Sequence, residues 1–365
     1  MKLLYLTRDY TPHDHRFLSA LSAHGQTVGF LRLEARGSST EDRPLPPGVE
    51  QLRWSGGTRP ARRADAPRLL RELRGILRTF KPDLLHAGPL QTAGLLAALS
   101  GFQPLVSMSW GYDLLIDAQR SPLWHWATRF TLRRSTAFVG DCDTIRNLAV
   151  QHGMNPQRIV TFPWGVDLHH FSPAASRIRE RLGWGAEVSV ILWTRGWSSL
   201  YGVEEFTKAF ARLAAHNPNV RLLMLGGGEQ SPLVRRVLAP YIGQVHFPGH
   251  VKQADLPDYY RAADLYVSAS HSDGSSISLL EAFACGIPAL VSDIPGNREW
   301  ITPEVGALFP LGNAAALADA LNALLAQKAA LPQMGRAARA LAEARANWTQ
   351  NFPQLLQAYE MALKA

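Results

Sequence analysis

The stretch Ser268–Trp300, SASHSDGSSISLLEAFACGIPALVSDIPGNREW, reads as a strand end, a loop, a helix, a second strand and a second loop. The apolar run 265–267 leading into it contains the β-branched Val267 and predicts a buried strand. Residues 271–276 predict a loop, with Gly274 and three serines. From Ile277 to Ala284 the apolar positions recur at helical spacing. Gly286 and Pro288 stop that helix, because glycine accepts the left-handed conformation and proline cannot continue an α-helix. Ala289 to Val291 resumes as a buried strand.

Two carboxylates bracket this unit in an Asp-x7-Glu spacing, Asp273 before the helix and Glu281 inside it. If the helix starts near Ser275 or Ser276, the N–H groups of Gly274, Ser275 and Ser276 are unpaired and point outward. That is an anion site, favoured by the helix dipole. Glu281 then lies about 7–8 Å further along the axis at 1.5 Å per residue. One acid before an anion site and one well past it suit a nucleotide-sugar, with hydroxyls on the sugar, a pyrophosphate, and hydroxyls on the ribose. The plain alternative is a solvated acid in a loop and another on a helix face. The apolar neighbours Leu279, Leu280, Ala282 and Phe283 argue against a solvated face for Glu281.

Outward from this unit the strand–helix alternation repeats, which predicts an α/β protein with parallel sheets. Strands are predicted at 2–6, 27–33, 49–53, 84–86, 104–108, 137–139 and 158–162, then at 188–193, 220–225 and 245–247. Helices are predicted at 16–23, 91–99, 124–134 and 144–152, then at 203–216, 231–239, 254–262, 314–327, 331–346 and 348–365. The basic stretch 59–81 reads as an amphipathic helix, with Leu69, Leu70, Leu73, Ile76 and Leu77 on one side. It is either the solvated surface helix of an α/β domain or a membrane-apposed one. The loop 38–47 is the most disorder-prone part.

The chain has 365 residues, enough for two domains. Its composition, 46% hydrophobic and 19% charged, is that of an ordinary globular protein, and no apolar run of membrane-spanning length occurs. The start, residues 1–6, reads as a strand rather than a signal peptide. Two distant cysteines, Cys142 and Cys285, predict free thiols in a reducing cytoplasm. No Cys/His cluster has metal-ligand spacing, so no metal is expected. The formal charge of +8 predicts an anionic partner, whether donor phosphates, a lipid phosphate or a membrane face. No nucleic-acid recognition motif is present.

Gly274, Leu279-Leu280-Glu281-Ala282 and Ala284-Cys285-Gly286-Ile287-Pro288 resemble the glutamate-x7-glutamate signature of the GT4-type retaining glycosyltransferases, with Asp273 in place of the first glutamate. The resemblance is specific in the second half of the chain and looser in the first. It implies the GT-B fold, two Rossmann-like domains facing across a cleft, with a C-terminal helix crossing back. The domains would be 1–164 on the acceptor side, 165–347 for the nucleotide-sugar, and 348–365 as closing helix. Gly165-Val166-Asp167, with Trp164 for the family's asparagine, resembles the junction between them.

Roles follow from the same resemblance. Arg195 and Tyr201-Gly202 resemble an arginine…lysine-glycine phosphate clamp in which Tyr201 replaces the lysine. Gly226, Gly227 and Gly228 resemble the family's glycine-rich turn. The turn from Gly249 to Val251 resembles the wall that receives the nucleobase. Asp273 would hold the sugar hydroxyls and Glu281 the ribose, with Gly274, Ser275 and Ser276 on the pyrophosphate. Trp110 stands where the family has a donor-touching histidine, leaving a flat wall for a sugar face. His13, Asp14, His86 and Asp113 are the acceptor-side candidates. The implied activity is transfer of a sugar from a nucleotide-diphosphate sugar to a glycan, lipid-linked glycan or small metabolite, without a metal, in the cytoplasm or on the inner membrane face. The changes at Trp110, Tyr201 and Asp273 keep open a catalytically weakened sugar-nucleotide-binding or scaffold protein. A dehydrogenase is more distant, since no dinucleotide fingerprint follows Leu6.

Overall fold

Strands that are apolar at consecutive positions need cover on both faces, which a parallel sheet with helices on each side supplies. A computed structural model describes residues 1–35, 41 and 43–365, and divides into two units. Unit 1 is Met1–Phe162 with Phe352–Ala365, and unit 2 is Pro163–Asn351. The divisions expected at 164/165 and 347/348 therefore move by a few residues. The loop expected over 38–47 lies partly outside the described residues.

In unit 1 the described strands are β1 (Lys2–Thr7), β2 (Thr27–Arg32), β3 (Val49–Gln51), β4 (Leu84–Gly88), β5 (Leu105–Met108), β6 (Ala137–Gly140) and β7 (Ile159–Thr161). They form one parallel sheet in the order β3-β2-β1-β4-β5-β6-β7. The first helix, Pro12–Ala23, starts four residues before the expected position at 16. Thr11 and Asp14 form a capping box there, and Pro12 pre-sets the first helical φ. The basic stretch is helical only over Ala66–Phe80, with Pro67 in its first turn. Leu69, Leu73, Leu77 and Phe80 are buried at three- and four-residue spacing, while most of its arginines face outward.

The last helix, Pro353–Leu363, completes unit 1 by burying Leu355, Ala358, Tyr359 and Ala362. Its Tyr359 hydroxyl shares a 2.6 Å hydrogen bond with Nδ1 of His86 on β4. Burial pushes the His86 imidazole down to about 3, so the ring is neutral, and Tyr5 stacks on it at 4.7 Å.

In unit 2 the described strands are β8 (Ser189–Trp193), β9 (Val220–Leu225), β10 (Val245–Gly249), β11 (Leu265–Ser268), β12 (Ala289–Ser292) and β13 (Gly306–Phe309). The sheet order is β10-β9-β8-β11-β12-β13, again parallel throughout. The sequence reading missed β13. The strand opens on Gly306, where a Cβ would meet the Ala289 carbonyl oxygen 2.1 Å away, so a glycine that resembles a loop signal is a packing requirement. At the strand entrance Asp264 accepts from Val190 N–H at 2.8 Å and pairs with Arg179, a structural role.

The segments that enter and leave unit 2 are bonded to each other. Val166 N–H donates to Ala346 O at 2.8 Å, Trp348 N–H to Val166 O at 3.1 Å, and Asn351 Nδ2 to Pro163 O at 2.7 Å. Gly165 lies between them at φ +70°, where a Cβ would approach Ala346 O to 2.5 Å. No helix among the described residues is long and apolar enough to cross a membrane.

Candidate functional site

In open α/β sheets, ligands bind beyond the carboxyl ends of the strands where the strand order reverses. In unit 2 that point lies between β8 and β11. Arg195 follows β8 by two residues, and the loop after β11 carries Asp273. The topology therefore delivers these two side chains to one place from positions far apart in sequence.

The Arg195 backbone is pinned by Trp193, whose Nε1–H donates to the Arg195 carbonyl at 2.7 Å. Its guanidinium donates through Nη2 to Asp273 Oδ2 at 2.7 Å. Through Nη1 it donates to Ser276 Oγ at 3.2 Å and Ser278 Oγ at 3.1 Å. The Tyr201 ring lies beneath it, 4.2 Å from Cζ, so the residue standing for the expected lysine supports the arginine by cation–π contact. Arg195 Nε is buried and has no hydrogen-bond acceptor among the described residues. Burial alone would depress the Arg195 pKa, but Asp273 and three nearby tyrosines outweigh it and the net shift is upward. Asp273 is raised by burial, against the opposing pull of Arg195, the Ser276 hydroxyl and the Gly274 N–H.

The helix Ile277–Ala284 begins here, within two residues of its expected start. Ser276 occupies its N-cap position without making a side-chain capping bond. Glu281 is buried and accepts from the Tyr260 hydroxyl at 2.8 Å. Burial, and next the Glu281 charge, push Tyr260 well above its ordinary value, so it remains the donor. Trp300 Nε1 donates to Ser275 Oγ at 3.1 Å. Gly296 comes so close to the loop that a Cβ there would lie 2.4 Å from Asp273 O, so the second loop of the deciding stretch buttresses the first.

The glycine turn after β9 is tied to the loop bearing Arg195. Trp197 N–H donates to Gly227 O and Gln230 N–H to Trp197 O, each at 3.0 Å, and Gly226 N–H donates to Gly249 O at 2.7 Å. Val251, just beyond, packs against the core. Arg195 is thus in contact with Tyr201, Asp273, Ser276 and Ser278 at the strand ends. Gly274 and Ser275 lie in the same loop, with Gly226 and Gly227 on the turn tied to the Arg195 loop, and Glu281 lies further along the helix against Tyr260. Sequence reasoning missed the supporting residues Trp193, Trp197, Tyr260 and Ser278. Tyr260 was legible in principle, since it opens the Tyr-x-x-Ala-Asp run before β11.

The unit 1 candidates divide differently. Trp110 lies 5.6 Å from the His13 ring and edge-on to Phe17. Asp14, His86 and Asp113, read from the sequence as acceptor-side candidates, have no exposed surface. Asp14 is held by Thr11 and the Tyr5 hydroxyl, and His86 by Tyr359. Asp113 accepts from Leu90 N–H, Ser109 Oγ, Trp110 N–H and Leu114 N–H, fixing the loop after β5. Asp14 and Asp113 thereby satisfy backbone donors that burial would otherwise orphan, whereas Nε2 of His86 is buried without a hydrogen-bond partner among the described residues.

Burial, opposed by these hydrogen bonds, pushes both Asp14 and Asp113 up to about 6. An unfolded aspartate titrates near 3.9. The folded state therefore binds the proton more tightly, and each group's contribution to stability falls as pH rises from about 4 to 6. Asp113→Asn is expected to flatten this slope by at most about 3 kcal/mol across the window. Thermal unfolding of both proteins from pH 4 to 7 tests it, and parallel curves would refute the assignment.

Among the described residues, no group of three or more His, Cys, Asp or Glu is placed to hold a metal ion.

Comparison with known proteins covers both units. Residues 176–341 match the family model described as glycosyl transferases group 1, and residues 12–165 match a glycosyl transferase 4-like domain. A D-inositol 3-phosphate glycosyltransferase of Xylanimonas cellulosilytica is 32% identical over 229 residues, 58% of this chain and 54% of that protein. A GDP-mannose-dependent monoacylated alpha-(1-6)-phosphatidylinositol monomannoside mannosyltransferase of Corynebacterium glutamicum is 27% identical, over 60% of this chain and 57% of that protein. The chain thus spans about half the length of the curated relatives it matches. In fold it resembles the sucrose-phosphate synthase of Thermosynechococcus elongatus, with TM-score 0.84, 20% identity, and coverage of 99% and 98% of the two chains. It also resembles Anabaena HepE in complex with UDP-glucose, with TM-score 0.80, 20% identity and 99% of both chains.

Proposed function

The chain belongs to the GT4-type glycosyltransferases of GT-B fold, and from that premise we propose that it transfers a sugar from a nucleotide-diphosphate sugar to a hydroxyl acceptor, with retention at the anomeric carbon. The observation that carries the reading is the buried Arg195 Nε–H, without an acceptor, at the carboxyl ends of β8 and β11. A buried cationic donor left unpaired is costly unless a ligand completes it. A diphosphate oxygen does so with a charge-assisted bond.

In this mechanism Arg195 and the amides at the start of helix Ile277–Ala284 stabilise the leaving diphosphate, in the role a metal takes elsewhere. The Asp273 carboxylate orients the sugar hydroxyls, and Glu281 binds the ribose. The anomeric C–O bond breaks with its electron pair passing to the diphosphate. The acceptor oxygen bonds to the same face, and its proton goes to the departing phosphate oxygen. UDP-glucose in the HepE complex and GDP-mannose in the mannosyltransferase's name make both nucleotides first choices for the donor.

The test is a panel of UDP-, GDP-, ADP- and TDP-sugars without added metal, following released nucleotide diphosphate with and without hydroxyl acceptors. Release from one donor identifies it. Absence of binding to every donor would overturn the reading.

A further inference from the structure

Unit 1 contains a cavity of about 360 Å³ that the donor chemistry does not use. Leu69, Leu95, Leu96, Leu99, Trp124 and Ala127 are among the apolar residues of its wall. The volume is that of an ordinary small-ligand site. At about 30 Å³ per water it displaces on the order of ten molecules. Its polar lining is sparse: the Gln91 amide already donates to Asp113 O and Thr128 Oγ1, each at 2.7 Å, and the Thr92 hydroxyl is a single buried group without a partner among the described residues. A sugar ring, with hydroxyls around its edge, would lose hydrogen bonds there. A hydrocarbon chain would lose none.

The rim has a different character. Arg62 and Arg63 line the cavity, are exposed, and have no carboxylate partner among the described residues. The adjoining helix Pro122–Arg134 presents Leu123 and Trp126 at 52% and 49% exposure. Trp126 stacks on Phe130 at 5.2 Å, and Arg133 and Arg134 close the same helix. An apolar interior with unpaired guanidinium groups at its rim complements one kind of molecule, an alkyl chain bearing an anionic head.

We propose that this cavity binds the hydrocarbon chain of a lipid phosphate, whose phosphate is held by Arg62 and Arg63. The interior contributes affinity through chain burial, and the arginines contribute a salt-dependent part. The site stands on unit 1 alone and does not depend on the donor assignment.

Titration calorimetry with dodecyl phosphate below its micelle concentration tests this without sugar or turnover. The wild-type chain is expected to bind dodecyl phosphate and not inorganic phosphate. Leu95→Trp, which fills the cavity, is expected to weaken binding at least tenfold. The double variant Arg62→Gln/Arg63→Gln is expected to weaken it several-fold and to remove most of the salt dependence. Ala127→Leu is the second cavity-filling variant should Leu95→Trp fail to fold. Unchanged affinity in a folded cavity-filling variant, or no binding by wild type, would overturn the proposal. So would phosphatidylglycerol vesicles that bind wild type and Leu95→Trp equally while dodecyl phosphate binds neither, which would assign the contact to the exposed surface.

Discussion

Arg195→Ala is expected to lower donor turnover by about 10²–10³-fold, the usual loss when one preorganised donor to a developing anion is removed. The guanidinium faces Asp273, Ser276 and Ser278, with Nε–H available to a ligand, so no neighbour replaces it. Arg195→Lys should recover only part of the activity, because an ammonium keeps the charge but not the planar fork. The substitution also leaves Asp273 without its cation. Breaking a fully buried pair costs about 3–5 kcal/mol. Here the side chains are 14% and 20% exposed, so the cost should fall toward or below the lower figure. Arg195→Met combined with Asp273→Leu separates the two effects, since it removes both charges and should regain stability without regaining turnover. Single-variant turnover within tenfold of wild type would remove Arg195 from the chemistry.

Glu281→Ala is expected to abolish donor use, and Glu281→Gln to raise the donor KM while leaving kcat nearly unchanged. Hydrogen bonds to a charged group are worth about 1.5–3 kcal/mol, which corresponds to roughly 10- to 150-fold in KM. The glutamine keeps an oxygen for the Tyr260 hydroxyl, now 2.8 Å from the carboxylate, so the helix should remain in place. A donor lacking ribose hydroxyls gives the decisive comparison. Wild type should lose affinity for it, and Glu281→Gln should lose little more, because the two changes remove one interaction. Additive losses would mean that Glu281 does not touch the ribose.

The donor-side unit was more legible than the other. Ser268 to Trp300 encodes its helix, its two strands and both carboxylates within one local pattern, and Asp273 and Glu281 lie where that pattern puts them. The partner of Asp273 was less direct. Arg195 lies in another βα loop, and only the strand order brings the two together. Tyr201 as a cation–π support was beyond sequence reasoning, since composition does not distinguish a ring that faces a ligand from one that faces an arginine. In unit 1 the polar residues near strand ends were harder to read. Asp14 and Asp113 carry the right chemistry for a site, yet both are held by interior hydrogen bonds, and His86 lies in the interior with Nδ1 bonded to Tyr359. Asp14 had a local signal in the Thr11-x-x-Asp14 capping box. The partner of His86 lies 273 residues away, and no local pattern could reveal it. The strand Gly306–Phe309 was hidden by its glycine.

The helix that carries Tyr359 belongs to the first unit but is made only after the whole of the second. On a ribosome adding about 5–20 residues per second, the whole of Pro163–Asn351 emerges between the two portions of unit 1, a delay on the order of ten to forty seconds. During that interval His86 and Tyr5 lack the hydroxyl and the apolar helix face that close over them. The continuous unit can fold first, although it is second in sequence, and the nascent amino-terminal sheet must wait with part of its core uncovered. Order of synthesis and order of completion are therefore inverted for the two units.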